Sequence, residues 1–316
     1  MSELKPLPHF EITTPRGFDR NKLYYGFIHN FSSENTREAY TRDLRKFLTF
    51  LEQVFRNLSE LKVEHSHAVA FKDFLIQNGN SQRSVNRTMA TLSSFYEYLM
   101  DMDLMDKNPF GRVRRFSIPK KVKTQDLSDE EVQNLLASID TTSGTGKLHK
   151  AIMILFFTSG MRHREVSHLQ FRNLDEESGY TVLRYLAKGA QEMVTPLNPK
   201  AEAALGEYLR WCETQKLQMK PDDYIFRPTK NPHTGNVNKP LDPKSLNYII
   251  KKYAKKVGVK NKITIHSARS TVIGTLLDKG HALDKVADFV GHKDISMTKA
   301  YNKRRQKIHE SLSLDL

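Results

Sequence analysis

Cysteine is almost missing from this 316-residue chain, where Cys212 stands alone. One thiol cannot build a disulfide framework or a multi-cysteine zinc site, so a reducing cytoplasm is the expected setting. Long apolar runs are missing as well: no stretch approaches the roughly 18 residues a membrane span needs, and no membrane is expected as a partner. The opening residues, MSELKPLPHFEITTPRG, have neither the basic start nor the apolar stretch of a signal peptide. No carboxylate or His/Cys cluster shows ligand spacing, which argues against metal-dependent hydrolysis. Gly144-Thr145-Gly146-Lys147 lacks the earlier glycine and the following Ser or Thr of a P-loop. Acid is also in short supply. Asp and Glu number 36 against 50 Lys and Arg, leaving a net charge of +14 and an isoelectric point near 9.6. Such a surplus favours a polyanionic partner, and nucleic acid fits it better than a membrane surface.

What is present begins with ordinary core material, 38% hydrophobic, in a length that suits two domains. Residues 1–25 are rich in proline and polar side chains and read as an extended arm. From Thr36 the spacing becomes helical, with Tyr40, Leu44, Phe47, Leu48 and Leu51 on one face. Val85, Met89, Leu92, Phe95, Tyr96 and Leu99 form a second such stripe. Residues 26–111 therefore read as a small helical bundle, closed by Asn108-Pro109-Phe110-Gly111. RVRRFSIPKKVK follows, with six bases (Arg112, Arg114, Arg115, Lys120, Lys121, Lys123) and no acid in twelve residues. A basic run is a solvated linker or, between two domains, part of a clamp on DNA, where each neutralised phosphate releases counterions. With residues 112–124 as linker, Ser128 and Glu131 form a capping box that restarts order, and a second domain occupies 125–316.

That second domain holds the chemistry. AIMILFF (151–157) reads as a buried helix ended by Ser159-Gly160, and Arg162 then sits at the next helix start, where free amides favour an anion. YTVLRYLAKGAQEMVTPLN reads as a β-hairpin with Lys188 at its tip, a place where lysine is common. Asp242 as N-cap, Pro243 at the first turn and Gly258 beyond the end frame a helix that buries Leu246, Ile249, Ile250, Tyr253 and Val257. Its other face offers Lys244, Lys251, Lys252, Lys255 and Lys256, which serve solubility as readily as a DNA groove. His266 and Arg269 are helical neighbours. His292 follows Gly291, and Tyr301 lies on or near the next helix.

Singly these signals are weak; together they make an inventory. Metal-free cleavage of a phosphodiester needs cationic donors at the non-bridging oxygens, a nucleophile and a proton for the leaving alkoxide. Guanidinium suits the first task, a phenol of pKa about 10 can serve as the second, and lysine or histidine supplies the third.

The order and flanks of these residues resemble the tyrosine recombinases, or phage-integrase family. Thr158-Ser159-Gly160-Met161-Arg162 running to Glu165-Val166 is similar to that family's T-G-(L/M)-R-x-x-E-(L/V). Lys188-Gly189 precedes Val194-Thr195-Pro196-Leu197, then come His266-x-x-Arg269, Val290-Gly291-His292, and Tyr301 nine residues later. NTREAYTRDLRKFLTFL and SVNRTMATLSSFYEYL resemble its N-terminal bundle, so the likeness spans roughly residues 30–305. Two places depart from the pattern: His266-Ser267-Ala268-Arg269-Ser270 stands for the usual H-x-L-R-H, and Asn302 follows the tyrosine where Thr is usual.

The resemblance implies a mainly α fold with a small β-sheet: an N-terminal SAM-like core-binding bundle and a C-terminal α+β catalytic domain. It implies site-specific strand exchange on double-stranded DNA by a homotetramer holding two sites, without cofactor or metal. Tyr301 would form a 3′-phosphotyrosyl link, Arg162 and Arg269 would clamp the phosphate, and His292 would add a hydrogen bond. Lys188 would protonate the leaving 5′-oxygen and His266 would take the tyrosine proton, with Glu165 orienting Arg162 or His266. Arg112, Arg114, Arg115, Lys120, Lys121, Lys244, Lys251 and Lys252 are the candidate DNA contacts. Compact length favours the Xer branch over a mobile-element integrase. A type IB topoisomerase-like enzyme and a non-catalytic DNA-binding regulator are the alternatives. The tail with Leu312, Leu314 and Leu316 would dock on a neighbouring protomer or on its own domain.

Overall fold

The computed structural model describes residues 19–56, 58–118, 126–187, 189–230, 235–259 and 263–305, with the side chains of 302–305 excepted. Its contacts divide into a first unit ending at Pro119 and a second beginning at Lys120.

The first unit is helical. Helix α1 (Arg20–His29) is followed by α2 (Glu34–Phe55), a 3₁₀ turn (Glu60–Lys62), α3 (His65–Gln77) and α4 (Gln82–Asp101). The periodic residues of α2 and α4 turn inward: Leu44, Phe47, Leu92, Phe95, Tyr96 and Leu99 are fully buried, as is Phe71 of α3. Their rings interlock edge to face, Phe47 lying 5.0 Å from Phe71 and 5.3 Å from Phe110. Each fully buried side chain of this kind stabilises by roughly 1.5–3 kcal/mol. Two buried carboxylates are fully engaged. Asp43 accepts from Arg87, Thr88 and Thr91, and Glu60 accepts from Arg20 and from the Tyr24 hydroxyl.

Two sequence expectations change here. The extended arm does not reach residue 25: Asp19 caps Asn21 through its side chain and the chain is helical from Arg20, with Leu23, Tyr24, Phe27 and Ile28 buried. Residues 1–18 lie outside the described residues. The linker expected over 112–124 also loses its first residues to the bundle, because Val113 is buried in the core of the first unit. Asn86 of α4 then binds the backbone of Phe116 through both its amide atoms, strapping this stretch to the helix.

The second unit starts with the expected capping box. Ser128 Oγ accepts from the Glu131 amide and Glu131 Oε2 from that of Ser128, opening α5 (Asp129–Ala137). Helix α6 (Gly144–Ser159) is the central rod, packed between α8 (Pro199–Thr214) and α10 (Ile265–Asp278). The glycines of its first turn are there for packing. A Cβ on Gly144 would fall 2.0 Å from the Trp211 ring, and one on Gly146 would fall 1.7 Å from the Asp140 carbonyl.

After the short helix α7 (His163–Ser167) comes an antiparallel sheet of three strands in the order β1 (Leu174–Glu177), β2 (Tyr180–Ala187), β3 (Gln191–Pro196). Tyr185 pairs with Met193 and Leu183 with Thr195. The predicted hairpin is β2–β3. Strand β1, with the sequence LDEE, is an addition whose acidic, outward side chains hid it. Helices α9 (Pro243–Lys256), α11 (Leu283–Phe289) and α12 (Ile295–Arg305) complete the unit. Among the described residues no helix is long and apolar enough to cross a membrane.

Candidate active site

Backbone turns of the second unit bring Arg162, Arg269, His292 and Tyr301 together. Gly160 ends α6 with φ +62°, a left-handed conformation that lets Met161 and Arg162 turn back across the helix end. Arg162 is then the N-cap of α7, and its amide donates to Glu165 Oε2 at 2.6 Å. Arg162's own amide is therefore taken, and what this residue offers an anion is its guanidinium. Glu165 Oε1 holds Nη1 of that guanidinium at 2.8 Å, while Nη2 donates to the Gly291 carbonyl at 3.0 Å. Glu165 thus orients Arg162.

Arg269 comes from α10 and is 3% exposed. Its Nη1 donates to the Gly160 carbonyl at 2.6 Å and its Nη2 to the Val290 carbonyl at 2.5 Å. Both arginines are thereby fastened to consecutive peptides of one turn, Val290-Gly291, where Gly291 has φ +64°. Burial, and then the neighbouring Arg162 charge, bring the Arg269 guanidinium down to about 10, so it stays charged at neutral pH. Of the two guanidiniums only Arg162 is ion-paired with a carboxylate, that of Glu165, whereas Arg269 is held by carbonyls, so the surplus positive charge is a standing demand for an anion.

His292 follows that turn at 9% exposure, with Nδ1 2.7 Å from Thr298 Oγ1 of α12. Burial and the two arginines push its pKa down to about 4, which leaves the ring neutral at pH near 7. His266, on the first turn of α10, keeps an exposed side chain, and its pKa is lowered by desolvation, by Arg269 and Arg162, and by His163. Tyr301 of α12 is 3% exposed and packs with Ile273, Val286 and Val290. Its ring stacks on that of His292, with centroids 6.4 Å apart and planes 18° apart.

Lys188 lies outside the described residues, as do Lys120, Lys121 and the tail 306–316. Beside Lys188, however, the Gly189 carbonyl accepts from Lys293 Nζ at 3.4 Å, so the hairpin tip is next to the turn that carries His292. Met193 of β3 reaches the same turn, 3.6 Å from where a Gly291 Cβ would stand. Sequence periodicity gave no sign of Lys293, Thr298 or Met193. Nor did it mark Tyr185, a half-buried residue of β2 whose hydroxyl lies 3.4 Å from Thr195 Oγ1 and whose pKa is raised by burial, against the Thr195 hydrogen bond and the positive charge of Arg269 and Arg162.

The remaining predicted residues are outside this cluster. Arg112 and Arg114 are exposed on the first unit. Arg115 is not simply presented to solvent, since its guanidinium donates to the carbonyls of Asn86 and Met89 on α4. Lys244, Lys251 and Lys252 are exposed on α9, with Lys252 Nζ lying 5.3 Å over the Tyr253 ring.

Comparison with known proteins decides what this cluster belongs to. The family described as Phage integrase family matches residues 125–307, and Phage integrase, N-terminal SAM-like domain, matches residues 25–102. Tyrosine recombinase XerD of Listeria monocytogenes serotype 4b (strain F2365) is 31% identical over 283 residues, covering 88% of this chain and 91% of that one. The chain belongs to the phage integrase family. Within it, the likeness to XerD, and to tyrosine recombinase XerC of Thermodesulfovibrio yellowstonii (27% identity, 92% of each chain), makes it an Xer-like site-specific tyrosine recombinase. XerH site-specific recombinase bound to difH substrate shares the fold at a TM-score of 0.70 and 17% identity, over 98% of this chain and 99% of that one. A lambda integrase(75-356) dimer bound to a COC′ core site matches at 0.67 and 15% identity, over 91% and 95%. At these identities the likeness to solved structures is one of fold. The family's fold is the mainly helical one expected, with a SAM-like first domain and a small antiparallel sheet in the second.

Proposed function

We propose that the chain cuts and rejoins double-stranded DNA at a specific site through a phosphotyrosyl link at Tyr301, acting as a cytoplasmic homotetramer on two sites. The observation that carries this is the pair of guanidiniums, Arg162 and Arg269, fastened to the consecutive carbonyls of Gly291 and Val290 beside His292 and the ring of Tyr301.

The chemistry follows from the groups. A scissile phosphate between the guanidiniums accepts their remaining N–H donors, and the two positive charges stabilise negative charge as it builds on the non-bridging oxygens. His292, neutral and held at Nδ1 by Thr298, offers its other ring nitrogen as a further partner without adding charge. The Tyr301 oxygen bonds to phosphorus as its proton passes to His266, whose lowered pKa keeps the imidazole free to accept it. The bond from phosphorus to the 5′-oxygen breaks, and Lys188 supplies the proton that oxygen takes. Nothing is hydrolysed, so the phosphoryl bond is conserved and a 5′-hydroxyl of the partner duplex can reverse the step. At 3% exposure the nucleophile is covered, so attack requires α12 to shift and uncover the oxygen. Arg112, Arg114, Lys244 and Lys251 supply DNA-backbone contacts in this reading, with Arg115 holding its own segment in place. The Xer-like task, joining two like sites in one chromosome, is preferred to mobile-element integration.

The test uses a random-sequence duplex library carrying single nicks. Protein and library are mixed, denatured, and the DNA that stays attached is sequenced. The expected result is one enriched site attached through its 3′-phosphate, two plasmid copies of which recombine. Relaxation of supercoils without exchange between the copies would indicate a topoisomerase-like enzyme, and absence of any attached DNA would indicate a non-catalytic regulator.

A further inference from the structure

Helix α9 carries more than charge. Its sequence, PKSLNYIIKKYAKK, contains no acid. One face, Leu246, Ile249, Ile250, Tyr253 and Ala254, is buried in the core of the second unit. Of its exposed lysines, two are turned onto the protein itself: Lys252 Nζ lies over the Tyr253 ring, and Lys256 Nζ donates to the Ser138 carbonyl at 2.6 Å. What remains outward is one stripe at helical spacing, Lys244, Tyr248, Lys251 and Lys255.

Tyr248 is the exception in that stripe. It is 66% exposed, among the most exposed large hydrophobic residues of the described chain, with lysines one turn away on either side. A solubilising face would place another polar residue there, because an aromatic ring left in water forfeits its burial energy. A face that meets duplex DNA has a use for it. Lysines hold phosphates and carry no base information, whereas a ring between them reaches the groove floor, where the thymine methyl is the apolar feature of a base edge.

The helix is also fixed in register with the catalytic residues. Asn247, the neighbour of Tyr248, donates through Nδ2 to the Pro243 carbonyl at 3.0 Å. Its Oδ1 accepts from the amide of Ile265 at 3.1 Å, and Ile265 is the first residue of α10, which bears His266 and Arg269. Whatever Tyr248 touches therefore lies at a set distance along the duplex from the phosphate that Arg269 holds.

We propose that Tyr248 is a base-reading residue: its ring packs against a thymine methyl in the major groove while Lys244, Lys251 and Lys255 bind the flanking phosphates. This rests on the DNA-cleaving function proposed above and adds to it a residue that sets sequence preference. The test is selection of intact, unnicked duplexes from a random-sequence library by the full-length chain, by Tyr248→Ala, by Tyr248→Phe and by Lys244→Ala. The unaltered chain is expected to enrich one site. Tyr248→Ala should lose about tenfold preference for thymine at one or two adjacent base pairs of it, and Tyr248→Phe should keep that preference. Lys244→Ala should weaken binding to all sequences alike and reduce the salt slope by about 0.9. The same site enriched with the same preferences by Tyr248→Ala overturns the proposal, as does loss of the preference in Tyr248→Phe, which would assign the reading to the hydroxyl. If the unaltered chain enriches no site at all, the failure belongs to the site-specific function and not to Tyr248.

Discussion

Acid should unfold the second unit early, and two buried histidines set the size of the effect. His149 of α6 is 9% exposed, with Nδ1 2.9 Å from the Tyr253 hydroxyl, and His292 is equally buried in the active site. Burial, helped by Lys252 at the first and by Arg269 and Arg162 at the second, brings each down to about 4. An unfolded histidine titrates near about 6.5. The sign follows directly: the depressed values favour the neutral rings, so stability is full above about pH 6.5 and falls as the unfolded chain takes up protons that the folded unit refuses. At about pH 5 each ring costs about 2 kcal/mol relative to neutral pH, together about 4 kcal/mol. His163 and His266, both lowered, add in the same direction.

Trp211, the single tryptophan, is the reporter for this unit, since it lies on α8 against Tyr208 and the first turn of α6. Urea unfolding followed by its fluorescence should show a midpoint lower by about 1.3–2 M at about pH 5 than at about pH 7, for a slope of about 2–3 kcal/mol per M. His149→Gln, which removes one of the two titrations, should roughly halve that shift. A midpoint that does not move with pH, or a His149→Gln protein that moves as far as the unaltered one, refutes the burial argument.

Other consequences are as specific. Gly146→Ala must displace the Asp140 carbonyl from the start of α6 and should lower the Trp211 unfolding midpoint by the equivalent of about 1–3 kcal/mol or more. Asp43→Ala strands the hydroxyls of Thr88 and Thr91 in the first unit and should cost roughly 3 kcal/mol, read by circular dichroism. The cost stays short of the full buried-pair penalty because the Arg87 side chain, 43% exposed, can turn to water. Arg269→Lys cannot span the Gly160 and Val290 carbonyls with one ammonium, so the rate of covalent DNA attachment should fall by about 10²–10³-fold. A loss under tenfold would mean that Arg269 is structural rather than part of the phosphate clamp.

Much of this molecule was legible because its elements announce themselves locally. Helix α9 follows its grammar from the Asp242 cap to Gly258, and Leu246, Ile249, Ile250 and Tyr253 of its apolar spacing are buried, while Val257 stands half-buried at the C-cap. The β2–β3 hairpin is signalled by alternating β-rich residues on either side of Lys188-Gly189. Where the signal was local but faint, it was missed. Strand β1 is acidic and outward-facing, and its one cue is the Ser178-Gly179 turn, both residues at positive φ. The start of α1 was hidden by the proline-rich composition before it, although Leu23, Tyr24, Phe27 and Ile28 carry helical spacing.

The site divides in the same way. Residue types and flanks pointed to Arg162, Arg269, His292 and Tyr301, but no periodicity tells which carbonyls hold a guanidinium. The grip of Val290 and Gly291 on two arginines, the Thr298 support of His292 and the contact of Lys293 with the hairpin tip join positions far apart in the chain or within a turn. Arg115 and Lys252 make the converse point. Both count as basic residues in the sequence, yet one lies on α4 and the other on an aromatic ring of its own helix.

The central claim concerns one oxygen atom. The site enriched from the nicked library should be bound equally by the unaltered chain and by Tyr301→Phe, while only the unaltered chain leaves DNA attached after denaturation. Proteolysis of that adduct should place the nucleotide on the peptide containing Tyr301. An adduct of undiminished yield from Tyr301→Phe, or a nucleotide mapped to another residue, would contradict the account.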